Sequence, residues 1–98
     1  MKIPSKINIG GIIYDVRLVS SKAGNVLQES SFRGMCSNEQ CVITIDNDPN
    51  GQVIEQTFFH EILHGIESNF KLSFSEDDVD RIARGFYQVL KENGLLKD

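Results

Sequence analysis

Two histidines and a glutamate fall in one short run, His60-Glu61-Ile62-Leu63-His64. These are the residue types of a metal-dependent hydrolytic centre, and the run holds both histidines of the chain. At i and i+4 the two imidazoles share one helical face, a single turn apart. That spacing lets both reach one tetrahedral zinc ion at about 2.0–2.1 Å. Glu61 lies one residue round from His60, which places it to reach a water on the metal and not the metal itself. Zinc lowers the pKa of such a water toward neutrality. Glu61 is then positioned to take the proton as the oxygen attacks a carbonyl, and to pass it to the leaving amine. The plain alternative is a histidine pair flanking a glutamate on a solvated helix face. Against it, the motif is complete and sits in the middle of a segment that independently reads as helix.

A catalytic zinc takes three protein ligands and keeps one position open. With no third histidine, an acid or a cysteine must complete the set. Glu76 opens the last predicted helix, and its angular position beside the Val79, Ala83, Phe86 stripe turns it inward. Asp80 follows four residues later on nearly the same face, placed to accept a hydrogen bond from the free ring nitrogen of a ligand histidine. Asp77 and Asp78 point more toward solvent, where they complement the helix dipole. Glu67 is the rival third ligand, at i+3 from His64; its other reading is a surface or supporting acid near the end of its helix. Cys36 and Cys41 could face each other across a turn and offer thiolates, but small buried thiols are the commoner use of such residues.

The surrounding elements read as α+β: a β-rich first half, then two helices. Ile7-Asn8-Ile9 runs into the Gly10-Gly11 turn and a strand from Ile12 to Val19. Residues 20–31 are polar and read as loop, with room for a short helical turn at Val26-Leu27. Phe32–Cys36 and Cys41–Asp46 form a hairpin around Ser37–Gln40. Asn47-Asp48-Pro49-Asn50-Gly51 closes the β half. The expected sheet is small and antiparallel. A helix from Gln52 to about Asn69 follows, with Val53, Ile54, Phe58, Ile62 and Ile66 on its inner stripe, widened by Phe59 and Leu63. The closing helix runs from Glu76 to Asn93, with Ser75 as N-cap and Val79, Ile82, Ala83, Phe86, Val89 and Leu90 as its core stripe.

With 98 residues the chain has room for one domain, 1–98, and a bound metal would be a natural staple for it. A net charge of -4 with scattered basic residues argues against nucleic acid as a partner. No apolar run approaches a membrane span, and the start, Met1 to Lys6, has no signal-peptide core. A cytoplasmic protein with reduced thiols is the expectation.

The stretch Thr57-Phe58-Phe59-His60-Glu61-Ile62-Leu63-His64-Gly65-Ile66, followed by Glu76-Asp77-Asp78-Val79-Asp80-Arg81-Ile82-Ala83, resembles the gluzincin metallopeptidases. The resemblance implies a minimal zincin-like domain holding Zn2+, with Glu76 as third ligand and Asp80 supporting a ligand histidine. The chain as a whole also resembles small phage and prophage proteins of zinc-peptidase type. That likeness implies hydrolysis of a protein or peptide substrate. Unlike the larger gluzincins, the chain shows no second lobe and no evident His or Tyr for the oxyanion; Tyr14 and Tyr87 are its only tyrosines.

In zincins a strand edge beside the site typically holds an extended substrate by backbone pairing. The strand from Cys41 to Asp46 is the candidate here, because it leads into the motif helix; an ordinary strand with a covered edge is the alternative. Two other functional readings keep the metal. One is a zinc-binding module that acts by docking to a partner protein. The other is a structural zinc closed by a fourth ligand, Glu67 or a cysteine.

Overall fold

The computed structural model describes residues 1–20 and 33–96. The loop expected over 20–31, its possible helical turn at 26–27 and Phe32 lie almost wholly outside the described residues. Four strands, β1 (Lys6–Ile9), β2 (Ile12–Val19), β3 (Gly34–Ser37) and β4 (Val42–Asp46), are followed by helices α1 (Gly51–Asn69) and α2 (Glu76–Glu92). The α+β expectation holds, and the element bounds differ from the predicted ones by one or two residues.

The turn chemistry sets the first hairpin. Ile9 pairs with Ile12, leaving only Gly10 and Gly11 between the strands, at φ 62° and 90°. Positive φ at both positions is what a tight two-residue hairpin turn requires, and glycine meets it without a Cβ clash. Asn8 Oδ1 accepts from the Gly11 amide at 2.8 Å and closes the turn. The second hairpin, β3–β4, turns through residues 38–41, so Cys41 belongs to the turn, at φ 58°, and not to the strand.

The sheet is not purely antiparallel. Its order is β1-β2-β4-β3, and β2 runs parallel to β4, Val16 opposite Ile43. Local turn signals specify each hairpin but not which strands of the two hairpins become neighbours. The apolar strand decides it: Ile43 and Ile45 are fully buried, and β4 takes the interior position that covers them on both sides. The short β3 is left on the edge. β3 supplies the return that a parallel neighbour needs: it is antiparallel to β4, begins level with the end of β2, and brings the chain back before β4 sets out.

Ile9, Tyr14, Val16, Ile43, Ile45 and Phe58 form one buried cluster between the sheet and α1. α2 packs on the other side of α1 through Val79, Ala83 and Tyr87. With neighbours on two sides, α1 has no strongly exposed residue between Val53 and Glu67. In α2 the predicted stripe is rotated. Tyr87 is buried, whereas Phe86 and Val89 are 61% and 48% exposed. The tyrosine is preferred inside because its hydroxyl finds a buried partner, Glu55 Oε1, at 2.6 Å. Glu55 also accepts from Lys91 Nζ at 3.1 Å and from the Met1 α-amino group at 3.2 Å. Among the described residues no helix is long and apolar enough to cross a membrane.

Candidate metal centre

α1 begins where Asn50 Oδ1 accepts from the Val53 amide at 3.2 Å. An N-cap here fixes the helical phase, and with it the shared face of His60 and His64. Their rings lie edge to face with centroids 5.0 Å apart. α2 is set the same way: Ser75 Oγ accepts from the Asp78 amide at 3.1 Å, so Glu76 is its first helical residue. The start of α2 then falls against the middle of α1. His60 Nε2 is 2.6 Å from Glu76 Oε1, and His64 Nε2 is 3.3 Å from Glu76 Oε2. One ligand atom from each of the three residues lies within 4.8 Å of the others.

The other ring nitrogens face carboxylates of their own. His64 Nδ1 is 2.9 Å from Glu67 Oε1, and His60 Nδ1 is 3.6 Å from Asp80 Oδ1. The second distance is a charge contact slightly too long for a hydrogen bond. Glu67 therefore engages the nitrogen that points away from Glu76. Its Oε2 also accepts from the Phe74 amide at 2.9 Å, which ties the connector before α2 to the end of α1. One acid thus both orients His64 and sets the path by which Glu76 arrives.

This donor set fits a divalent cation such as zinc. If Nδ1 of a neutral His64 donates to Glu67, its Nε2 presents a lone pair to the Glu76 carboxylate. Two lone pairs facing each other need a proton or a cation between them. Two imidazoles and one carboxylate are also the donors of open catalytic zinc sites.

Glu61 is only 6% exposed, yet it lines the same cleft. Burial pushes its carboxyl above the usual range; His60 and His64 pull it down and the Glu76 charge pushes it up again. The net direction is upward. Its cover is β3. A Cβ built on Gly34 would lie 3.1 Å from Glu61 Oε2 and 2.6 Å from Thr57 Cγ2, so only glycine lets the strand come this close.

The cleft encloses about 890 Å³ and runs between β3, α1 and α2. Its wall toward the sheet is residues 33–36, not β4. The expectation that the strand from Cys41 to Asp46 offers a substrate edge is therefore corrected: β4 is interior and paired on both sides, and among the described residues the outermost strand beside the histidines is β3. Sequence reasoning found the strand that becomes β3 but missed that it lines the site, together with Arg33 and with Asn38, whose Nδ2 donates to the His64 carbonyl at 3.4 Å. The glycine inside a strand pattern at position 34 was the available signal.

Cys36 lines the cleft and Cys41 lies in the adjoining turn; both are free thiols. Burial first, then the Glu61 and Cys41 charges, push Cys36 up to about 12, and the group of described residues that converges within ligand reach is His60, His64 and Glu76, without a cysteine. Neither tyrosine lines the cleft. Tyr14 donates to Asn38 Oδ1 at 2.6 Å, and Tyr87 to Glu55. No protein family, curated protein or solved structure matches the chain.

Proposed function

We propose that the protein is a minimal zinc-dependent peptidase of gluzincin type. The observation that carries the reading is the convergence of His60 Nε2 and His64 Nε2 on the two oxygens of Glu76, with the buried Glu61 in the same cleft. His60, His64 and Glu76 would hold the metal, while Asp80 and Glu67 orient the rings from behind. Bound there, zinc would supply Lewis acidity toward a carbonyl and toward water.

The rest of the chemistry belongs to the chain. Glu61 takes the proton of the attacking water and hands it to the amine as the C–N bond breaks. Among the described residues β3 is the outermost strand beside the cleft, so an extended peptide would pair with its backbone and lie across the histidines. Hydrolysis of an amide in a protein or peptide is the reaction that uses all of these parts. The resemblance to phage and prophage zinc peptidases agrees with it.

A Glu61→Gln variant tests the assignment. It keeps the shape and the metal ligands but removes the base, and is expected to lower peptide cleavage by about a hundredfold to ten-thousandfold. Undiminished cleavage by the variant would remove Glu61 from the mechanism. Absence of cleavage in both forms, with a protein partner bound equally by each, would favour the docking module instead.

A further inference from the structure

We infer that two copies of the chain pair through the outer face of α2, antiparallel, with Phe86 at the crossing point. The inference is independent of the peptidase reading. α2 packs on α1 through Val79, Ala83 and Tyr87. Beside that packed face it carries a second apolar stripe. Phe86 is 61% exposed and Val89 48%, and Ile82 is half-buried. At about 100° per residue these three fall within an arc of about 60° on the helix. Gly85 borders the stripe, and a Cβ built there would meet nothing within 4 Å, so the surface is open. A contiguous apolar face left in water marks a contact surface. Asp80 and Arg84, which line the cleft, lie on the opposite side of the helix, so pairing leaves both clefts accessible.

The charges beside the stripe select a second copy as the occupant. Arg81 and Glu92 are exposed and flank the stripe on its edge away from α1. They differ by about 20° in phase and stand about three turns apart along the axis. In an antiparallel pair the same edge of each helix meets its counterpart. With the crossing midway between positions 81 and 92, Arg81 of each copy stands opposite Glu92 of the other. That midpoint falls beside Phe86, so the two rings meet at the centre. A parallel pair would set Arg81 against Arg81 and Glu92 against Glu92. Both groups are open to this pairing. Arg84 and Lys91 are engaged by Asp80 and Glu55, whereas Arg81 makes no ion pair among the described residues. Glu92 accepts from the neutral Gln88 amide at 2.8 Å. A cation and an anion placed symmetrically about an apolar centre make the surface complementary to itself. A seam one 17-residue helix long is small for an interface, so the pair forms at micromolar concentrations.

Sedimentation equilibrium of the full chain in reductant tests this. The mass is expected to rise from one chain toward two between about 1 and 100 µM. Phe86→Glu should weaken pairing at least about tenfold while circular dichroism shows the fold intact. Arg81→Glu and Glu92→Arg should each weaken it about fivefold, because two attractions become two repulsions. The double reversal in one chain should restore pairing, and the two single variants should pair with each other when mixed. A chain that stays monomeric throughout overturns the inference and leaves the stripe to another partner. Pairing that survives Phe86→Glu, single reversals without effect, or a double reversal that fails to rescue them overturns it as well.

Discussion

Gly34 of β3 lies against the carboxylate of Glu61, with space for a hydrogen atom but not a methyl group: a Cβ there would meet Oε2 at 3.1 Å and Thr57 Cγ2 at 2.6 Å. The edge strand and the Glu61 carboxylate are thus held by one contact. Gly34→Ala is expected to destabilise the fold by about 1–3 kcal/mol through overpacking. Displacing the base should lower peptide cleavage by about tenfold to a hundredfold. A Thr57→Ser background removes the worse clash, so the double variant should regain most of the stability in thermal unfolding and less of the activity. Recovery of both together would mean that Glu61 does not depend on the close approach.

Glu67 serves His64 through one oxygen and the Phe74 amide through the other. Glu67→Ala should therefore weaken zinc binding by about tenfold to a hundredfold, the usual effect of losing a partner that orients a ligand. Glu67→Gln keeps an acceptor for one of the two donors and should fall between. Competition against a chromophoric chelator measures this. A complete loss of zinc binding in Glu67→Gln would instead make Glu67 a ligand.

Glu55, on α1 but not among the residues that line the cleft, gives the fold an acid-sensitive contact. Burial alone pushes its carboxyl up, but the hydrogen bonds from Tyr87, Lys91 and the Met1 α-amino group outweigh that, and its pKa falls below the ordinary 4.5. A depressed folded-state value means that the ionised form stabilises the fold. That stability is fully present above the unfolded value and is lost as pH falls through the folded one. Glu55→Gln should cost about 2 kcal/mol at pH 7, as for other hydrogen bonds to a charged group. The gap to the unmodified protein should close below about pH 4.5 in denaturant titrations. A gap independent of pH would place the contribution of Glu55 in packing and not in charge.

The site was more legible than the sheet. His60, Glu61 and His64 were readable because a helix converts i,i+4 spacing directly into a shared face. Ser75 marks the start of α2 and so fixes the phase that sets Glu76 and Asp80 beside the histidines, but Glu76, expected to turn inward, has a side chain 70% exposed, because the first turn of α2 reaches beyond the packed part of α1. The neighbour of β4 was not readable, because strand adjacency between two hairpins is a long-range choice that no local pattern encodes. The edge role of β3 followed from the same choice. In α2 the aliphatic stripe pointed to Phe86 and Val89, but the buried partner of the Tyr87 hydroxyl rotated the packed face. Glu67 was legible as an acid near the site; its double use depends on the Phe74 amide, which only the folded connector brings to it.

The proposed chemistry requires a single cation held by His60, His64 and Glu76. Isothermal titration of chelator-stripped protein with zinc tests it most directly, run on the unmodified chain and on His64→Ala and Glu76→Gln. One zinc per chain is the predicted result, with the heat of tight binding lost in His64→Ala and the affinity reduced at least about tenfold in Glu76→Gln. No saturable uptake by the unmodified protein, or uptake that survives His64→Ala at full affinity, would contradict it.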